Sequence, residues 1–355
     1  IRGTGLYLNI RISITTLTNS GTISGLAGST DGRGLYLDES VITTLTNTGT
    51  ILGSAGSNRG YGLYLTDTST ITTLTNSGTI NGSAGVSRGT GLYANIRISI
   101  TTLTNTGTIL GSADSDRAYG LHVNFRSSIT TLNNSGTING SAGVNRGTGL
   151  YANFHSSITT LTNSGTISGL AGSDRGYGLY LFGNSGITTL TNSGTILGSA
   201  GSSDGYGLYL DNTSTITTLT NSGTISGSAV NQGFGFFIED DSTITTLNNS
   251  GTISGSAVNN NGFGIYFEDT ATLTTLTNTG TINGSASGRS GGGLYLNDSS
   301  TLTTLTNSGT ISGSAGNHGF GIFINSPTDD STITTLNNSG TISGVAANDS
   351  AFGIH

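Results

Sequence analysis

The string Ile-Thr-Thr-Leu-Thr-Asn-x-Gly-Thr-Ile returns, with small variations, about every 29 residues along the chain. Its copies begin at Ile14, Ile42, Ile71, Ile100, Ile129, Ile158, Ile187, Ile216, Ile244, Leu273, Leu302 and Ile333. Twelve copies, spaced 28 to 31 residues apart, fill 355 residues and leave no room for an unrelated domain. A fixed period of this size marks a solenoid, in which each unit buries its apolar residues only against its neighbours. Residues 1–355 therefore read as one continuous β-solenoid. With 59 Gly and only 8% charged residues the chain could pass for low-complexity disorder. The fixed phase of its apolar residues argues against that.

The coil beginning at Ile216 contains three extended runs: Thr-Thr-Leu-Thr-Asn, then Gly-Thr-Ile-Ser, then the Gly-Leu-Tyr-Leu position, here Gly-Phe-Phe-Ile. Thr, Ile, Tyr and Phe favour strands, and the Asn-Ser-Gly and Gly/Ser/Asn-rich stretches between them favour turns. No apolar stripe of helical period and length is present. The expected fold is all-β: a single-stranded parallel β-helix of about 12 coils with three short strands each. Right-handed coiling follows from the chirality of parallel connections. At about 4.8 Å per rung, such a rod is roughly 55–60 Å long.

Alternation along each strand assigns faces. Leu219, Asn221, Ile225, Ala229, Leu208 and Leu210 are expected inside, and Thr218, Thr220 and Tyr209 outside. One inward column is polar. It includes Asn76, Asn105, Asn134, Asn163, Asn192 and Asn221, and a buried amide needs partners that a ladder of amides can supply from rung to rung. This column is read as structural.

Tandem Leu-x-Asn-x-Gly-x-Ile units, such as Leu74–Ile80 and Leu190–Ile196, resemble the β-helical passenger regions of bacterial autotransporters and related haemagglutinin-like surface proteins. The likeness covers all twelve coils. It implies an exported rod at the bacterial surface, seen here without the family's membrane barrel or a secretion signal. Such rods serve as adhesins, proteases or inert stalks, so the resemblance speaks to fold more than to activity.

Four outward columns could carry function. The first is aromatic and includes Tyr64, Tyr93, Tyr151, Tyr180, Tyr209, Tyr266 and Tyr295, with a Gly two residues earlier read onto the same face. It could be a platform for sugars or a neighbouring rod, or simply stack on itself. The second is a Thr-x-Thr row, for example Thr218 and Thr220, which resembles the ice-binding face of β-solenoid antifreeze proteins and is also what an exposed strand favours. The third is Arg59, Arg88, Arg117, Arg146 and Arg175 in one phase. These could bind an anionic glycan, or splay and pair with Asp116 and Asp174. The fourth is a series of acidic corners, Glu239-Asp240-Asp241, Glu268-Asp269, Asp298 and Asp329-Asp330, which could hold Ca²⁺ or remain solvated.

Residues 1–177 carry ten Arg against seven acids, and residues 178–355 one Arg against eleven. The chain starts and stops within a repeat, and together with this charge asymmetry that suggests head-to-tail stacking with copies of itself. The net charge of −7 speaks against nucleic acid. Neither a signal peptide nor a membrane-spanning helix is read, so no direct membrane insertion is expected. Cys is absent, which excludes disulfide and thiolate-metal frameworks. No catalytic motif is found, the four His are scattered, and the one insertion, Asn325-Ser326-Pro327-Thr328, reads as a bulge. The expectation is a non-enzymatic extracellular rod without cofactors, part of a surface fibre. The alternatives are an adhesin binding surface glycans and an ice-binding rod.

Overall fold

Short runs of Thr, Ile and Leu between Asn-Ser-Gly and Ala-Gly turns can satisfy their backbone only by pairing with an equivalent run elsewhere. In the computed structural model, which describes residues 2–325 and 330–355, every run pairs with its own copy one coil away. The inserted Ser326, Pro327, Thr328 and the acidic Asp329 lie outside the described residues. The fold is a β-solenoid of about 12 coils of about 29 residues, with three strands per coil and three parallel sheets. Among the described residues there is no helix, hence none long and apolar enough to cross a membrane.

One coil shows the plan. The first strand is Ser99–Asn105, the second Thr108–Ala113 and the third Arg117–Asn124. Register with the next coil is that of the repeat: Ile100 pairs with Ile129, Leu103 with Leu132 and Asn105 with Asn134. The third strand is longer than the Gly-Leu-Tyr-Leu run and begins at the arginine, so Arg88, Arg117 and Arg146 open strands and do not sit in a loop.

The chain divides into two units, residues 1–172 with 184–187, and residues 173–183 with 188–355. In the first, Ile100, Leu103, Ile109, Leu121 and Val123 are wholly buried. In the second, Ile216, Leu219, Ile225, Leu208 and Leu210 are as well. Each such side chain contributes about 1.5–3 kcal/mol by leaving water, and the columns repeat coil after coil.

The asparagine column is a hydrogen-bonded ladder within each unit. Asn105 Nδ2 donates to Asn134 Oδ1 at 2.8 Å, to the Gly107 carbonyl at 3.2 Å and to the Thr137 carbonyl at 3.1 Å. Asn221 in the second unit does the same toward Asn249, Gly223 and Thr252. Each amide thus holds the turn after its own strand and ties it to the next coil. A serine column does similar work at another corner: Ser127 Oγ donates to the Asn124 carbonyl at 2.6 Å and accepts the Ile98 N–H at 3.1 Å.

Between the second and third strands the backbones touch. A Cβ on Gly82 would lie 1.8 Å from the Thr90 carbonyl oxygen, and one on Gly198 equally close to that of Tyr206. This leaves no side-chain layer at that edge, and it presses the third strand flat against the second.

Candidate interaction face

The third strand carries both the aromatic and the arginine columns, and its alternation slips by one residue. In Asp204–Asp211, Gly205 and Gly207 face inward: a Cβ on Gly207 would meet Ile225 Cγ2 at 2.9 Å and one on Gly205 the Ser228 carbonyl at 2.1 Å. Leu208 also faces inward and is wholly buried. Two successive inward residues place Tyr206 and Tyr209 side by side outside, rings 4.9 Å apart and 14° from parallel. Tyr61 and Tyr64 repeat this in the first unit at 4.8 Å and 16°. The glycine two residues before the tyrosine is therefore on the opposite face from it, which corrects the period-2 assignment.

The outer face thus has two aromatic columns. The anticipated one stacks ring on ring: Tyr36–Tyr64 at 5.1 Å, Tyr64–Tyr93 at 5.3 Å, Tyr93–His122 at 4.6 Å and His122–Tyr151 at 4.8 Å in the first unit. In the second unit Tyr180–Tyr209 lie 4.7 Å apart and Tyr266–Tyr295 4.8 Å. Stacking covers the ring faces, so Tyr93, Tyr151 and Tyr180 keep only 7%, 8% and 6% of their surface, while Tyr64, Tyr209, Tyr266 and Tyr295 are half-buried. An openly exposed aromatic stripe is not what the chain presents. It offers ring edges and hydroxyls.

The column beside it runs Tyr61, Thr90, Tyr119, Thr148 in the first unit. Where threonine leaves a gap, arginine partly fills it: Arg88, of the same strand as Thr90, holds its guanidinium 5.7 Å from the Tyr119 ring centre. Arg33 occupies this column itself, pairs with Asp31 at 3.0 Å and lies over the rings of Tyr36 and Tyr64 at 4.4 and 4.9 Å. The signal for this second column was present as aromatic-Gly-x-aromatic, in Tyr61-Gly62-Leu63-Tyr64 and Tyr206-Gly207-Leu208-Tyr209.

Arg59, Arg88, Arg117 and Arg146 occupy one register position in the first unit. Arg117 pairs with Asp116 at 3.6 Å, both half-exposed. Arg175, in the second unit, lies between Asp174 and Asp204 at 3.9 and 3.7 Å. The exposed pairs with Asp116 and Asp174 are worth about 0–1 kcal/mol, whereas the Asp204 carboxylate is buried. Below the row, burial first and then the Arg88 charge push the His122 imidazole down to about 3, so it is neutral at ordinary pH. His122 Nε2 sits 3.1 Å from Asn153 Oδ1. Beside it Asn124 Nδ2 donates to Asn95 Oδ1 at 2.7 Å and to the Tyr93 hydroxyl at 3.0 Å.

The acidic corner of the second unit brings ligand oxygens of Asp211, Glu239 and Asp240 within 4.8 Å of one another. Ca²⁺ takes six to eight oxygens, so these side chains would supply only part of a shell. The Tyr209 hydroxyl donates to Glu239. Burial raises the Glu239 carboxyl to about 7; that hydrogen bond opposes the shift, and Asp211, Asp240 and Glu268 add to it. A carboxyl that binds its proton more tightly when folded stabilises the fold at low pH and loses that contribution as pH rises. Stability of this unit is therefore expected to fall from pH 4.5 to about 7. A melting temperature higher near about pH 5 than near about pH 7.5, with the difference reduced in Glu239→Gln, is the expected result. A flat profile in the native chain would contradict it.

At the corner following the third strand, two successive residues adopt left-handed backbone in most described coils, and Glu39 alone does so in one. Most coils place small polar residues there, such as Asp67-Thr68, Asn212-Thr213 and Asp269-Thr270. Three successive coils instead carry Ile96-Arg97, Phe125-Arg126 and Phe154-His155, and the first coil carries Ile10-Arg11. Sequence reading passed over these pairs, though their 29-residue spacing at a turn position was legible.

Compared with protein families, with curated proteins and with solved structures, the chain matches none.

Proposed function

We propose that this chain is a non-enzymatic structural repeat protein, a stretch of the shaft of an extracellular bacterial surface fibre. The observation that carries the reading is the uniform contact between successive coils. In each unit all three sheets, the apolar columns and the asparagine ladder repeat in one register. Backbone and amide hydrogen bonds run from coil to coil, the direction in which a shaft is pulled. The Leu-x-Asn-x-Gly-x-Ile likeness to autotransporter passenger regions supports the extracellular setting.

A second copy is the partner the charges favour. The first unit holds nine Arg against six acids, the second two Arg against twelve. Association of the first unit of one copy with the second unit of another is expected at low ionic strength and is screened above about 0.1 M salt. Sedimentation velocity over a concentration and salt series tests this. Monomer under every condition would overturn self-association. Antibody labelling of intact and lysed source cells tests the setting: label confined to lysed cells would sink the surface-fibre reading.

A second reading rests on the in-register threonines of the first sheet, Thr102, Thr131 and Thr160, with Thr101 exposed beside them. Ice binding would appear as thermal hysteresis, lost when Thr160 and Thr162 become bulky charged residues.

A further inference from the structure

Three successive coils of the first unit share a pattern that most other coils lack and that Arg2 and the left-handed Ile10-Arg11 pair repeat in the first coil. Residues 81–160 contain five Arg, namely 88, 97, 117, 126 and 146, against two Asp. Arg88, Arg117 and Arg146 open the third strands, and Arg97 and Arg126 stand at the corner where those strands end. Two basic rows therefore border one strip of outer face. Among the described residues neither Arg97 nor Arg126 has a carboxylate within ion-pair distance.

The strip between the rows is concave. A groove of about 360 Å³ is lined by Arg88, Arg117, Arg146, His122, Asn124 and Phe154. A second hollow of about 380 Å³ lies at the corner, lined almost wholly by apolar atoms of Asn95, Ile96, Arg97, Phe125 and Arg126. The floor of the first is polar and uncharged, made of amides, a tyrosine edge and neutral His122. Among the described residues His122 Nδ1 has no hydrogen-bond partner, although the residue is only 4% exposed.

The corner pairs are held against conformational preference. Ile96 and Phe125 have φ of 65° and 51°, and Arg97 and Arg126 58° and 59°. A left-handed residue other than Gly, Asn or Asp costs about 1–2 kcal/mol, more for a β-branched one, and at the first position of the pair most other coils place Asp, Asn or Gly. Packing does not account for the choice, because Phe125 and Phe154 are 52% and 41% exposed. Unlike the tyrosine stack, their rings lie tilted at 45°, so an aromatic face remains open at Phe125.

We propose that this strip binds an acidic oligosaccharide, its carboxylate or sulfate groups held by the two arginine rows. Guanidinium forks suit planar oxyanions. The amides and the tyrosine edge suit sugar hydroxyls, and Phe125 suits the C–H face of a sugar ring. Single-stranded nucleic acid fits less well, because beyond the one open face at Phe125 the rings are stacked and offer no series of faces for successive bases. The inference stands apart from the shaft reading, which survives if the strip binds nothing.

Calorimetric titration of the full chain tests it with a sulfated heparin-derived oligosaccharide, a carboxylated oligogalacturonate, a neutral maltooligosaccharide and oligo-dT. At least one acidic sugar is expected to bind, more weakly as salt rises, and the neutral sugar not to bind. Which acidic sugar binds tells sulfate from carboxylate recognition. Arg117→Gln with Arg126→Gln is expected to weaken binding at least about tenfold, and Phe125→Ala about tenfold with an unchanged salt slope. Arg289→Gln, in the second unit, should leave it unchanged. Circular-dichroism melts confirm folding, and Arg126→Lys, which keeps the charge, gives an intermediate loss without disturbing the corner. Absence of acidic-sugar binding, oligo-dT binding as tightly, or an unaffected folded double variant would each overturn the proposal.

Discussion

Gly82→Val is expected to open the coil that contains it. Its Cβ would fall 1.8 Å from the Thr90 carbonyl oxygen and 2.5 Å from that of Gly60, both backbone atoms of third strands. No rotamer relieves a contact with backbone, so second and third strands must part in two neighbouring coils. Overpacking in a well-packed core usually costs about 1–3 kcal/mol, and here at least about 3 kcal/mol is expected. Global melting does not localise the damage, because long repeat arrays lose two-state behaviour. Hydrogen exchange should instead show amides of Thr79–Ala84 and Arg88–Asn95 opening far more readily. Gly28→Ala, where a Cβ would meet nothing within 4 Å, should stay within about 0.5 kcal/mol. Native protection in Gly82→Val would mean that these backbones are not in contact. The third strand approaches as closely, since a Cβ on Gly89 or Gly147 would fall 1.8 or 1.9 Å from a second-strand carbonyl oxygen, and Ala118 between them shows that a methyl is accommodated there; Gly82→Ala is therefore expected to cost less than Gly82→Val.

Asn134→Leu should be almost as damaging, for a different reason. The side chain it replaces accepts from Asn105 Nδ2 at 2.8 Å and donates to Asn163 Oδ1 at 2.7 Å and to the Gly136 and Thr166 carbonyls at 3.3 and 3.1 Å. Leucine fills much of the space and makes none of these bonds. Each buried group left unpaired costs about 1–3 kcal/mol, so a loss of about 3–5 kcal/mol is expected. It should be concentrated in the turns after Asn105, Asn134 and Asn163. The neighbouring Asn133→Thr, which restores the residue that Thr104 and Thr162 supply in adjacent coils, should be nearly silent. If Asn134→Leu proved as mild as Asn133→Thr, the ladder would not be holding the coils together. Both substitutions would also weaken a shaft mechanically, because they act on contacts between coils.

The solenoid, its period, its three strands and its apolar and amide columns were legible from residues alone. The reason is that a repeat protein states each contact many times: Ile100 meets Ile129 because the same residue recurs one coil later, and no long-range pairing has to be guessed. Strand length was misjudged at the third strand, where Arg117-Ala118-Tyr119 reads as loop-like but is pressed flat by backbone contact with the second strand. That contact exists only in three dimensions. The same is true of the slip in alternation at Gly207, which sets Tyr206 beside Tyr209 and turns an expected open platform into a double column whose ring faces are already used.

The interaction face divides in the same way. The arginine phase followed from spacing, since identical register puts Arg88, Arg117 and Arg146 in a row. Their companions, Arg97, Arg126 and Phe125, lie at the far end of the strand. Only the left-handed corner turns them outward beside the amide-lined groove. Periodicity specifies what repeats, because stacking copies the same neighbour onto each residue. Whether a strip of side chains forms a groove depends on strand curvature and on which faces neighbouring rings have already covered, and those belong to the folded coil.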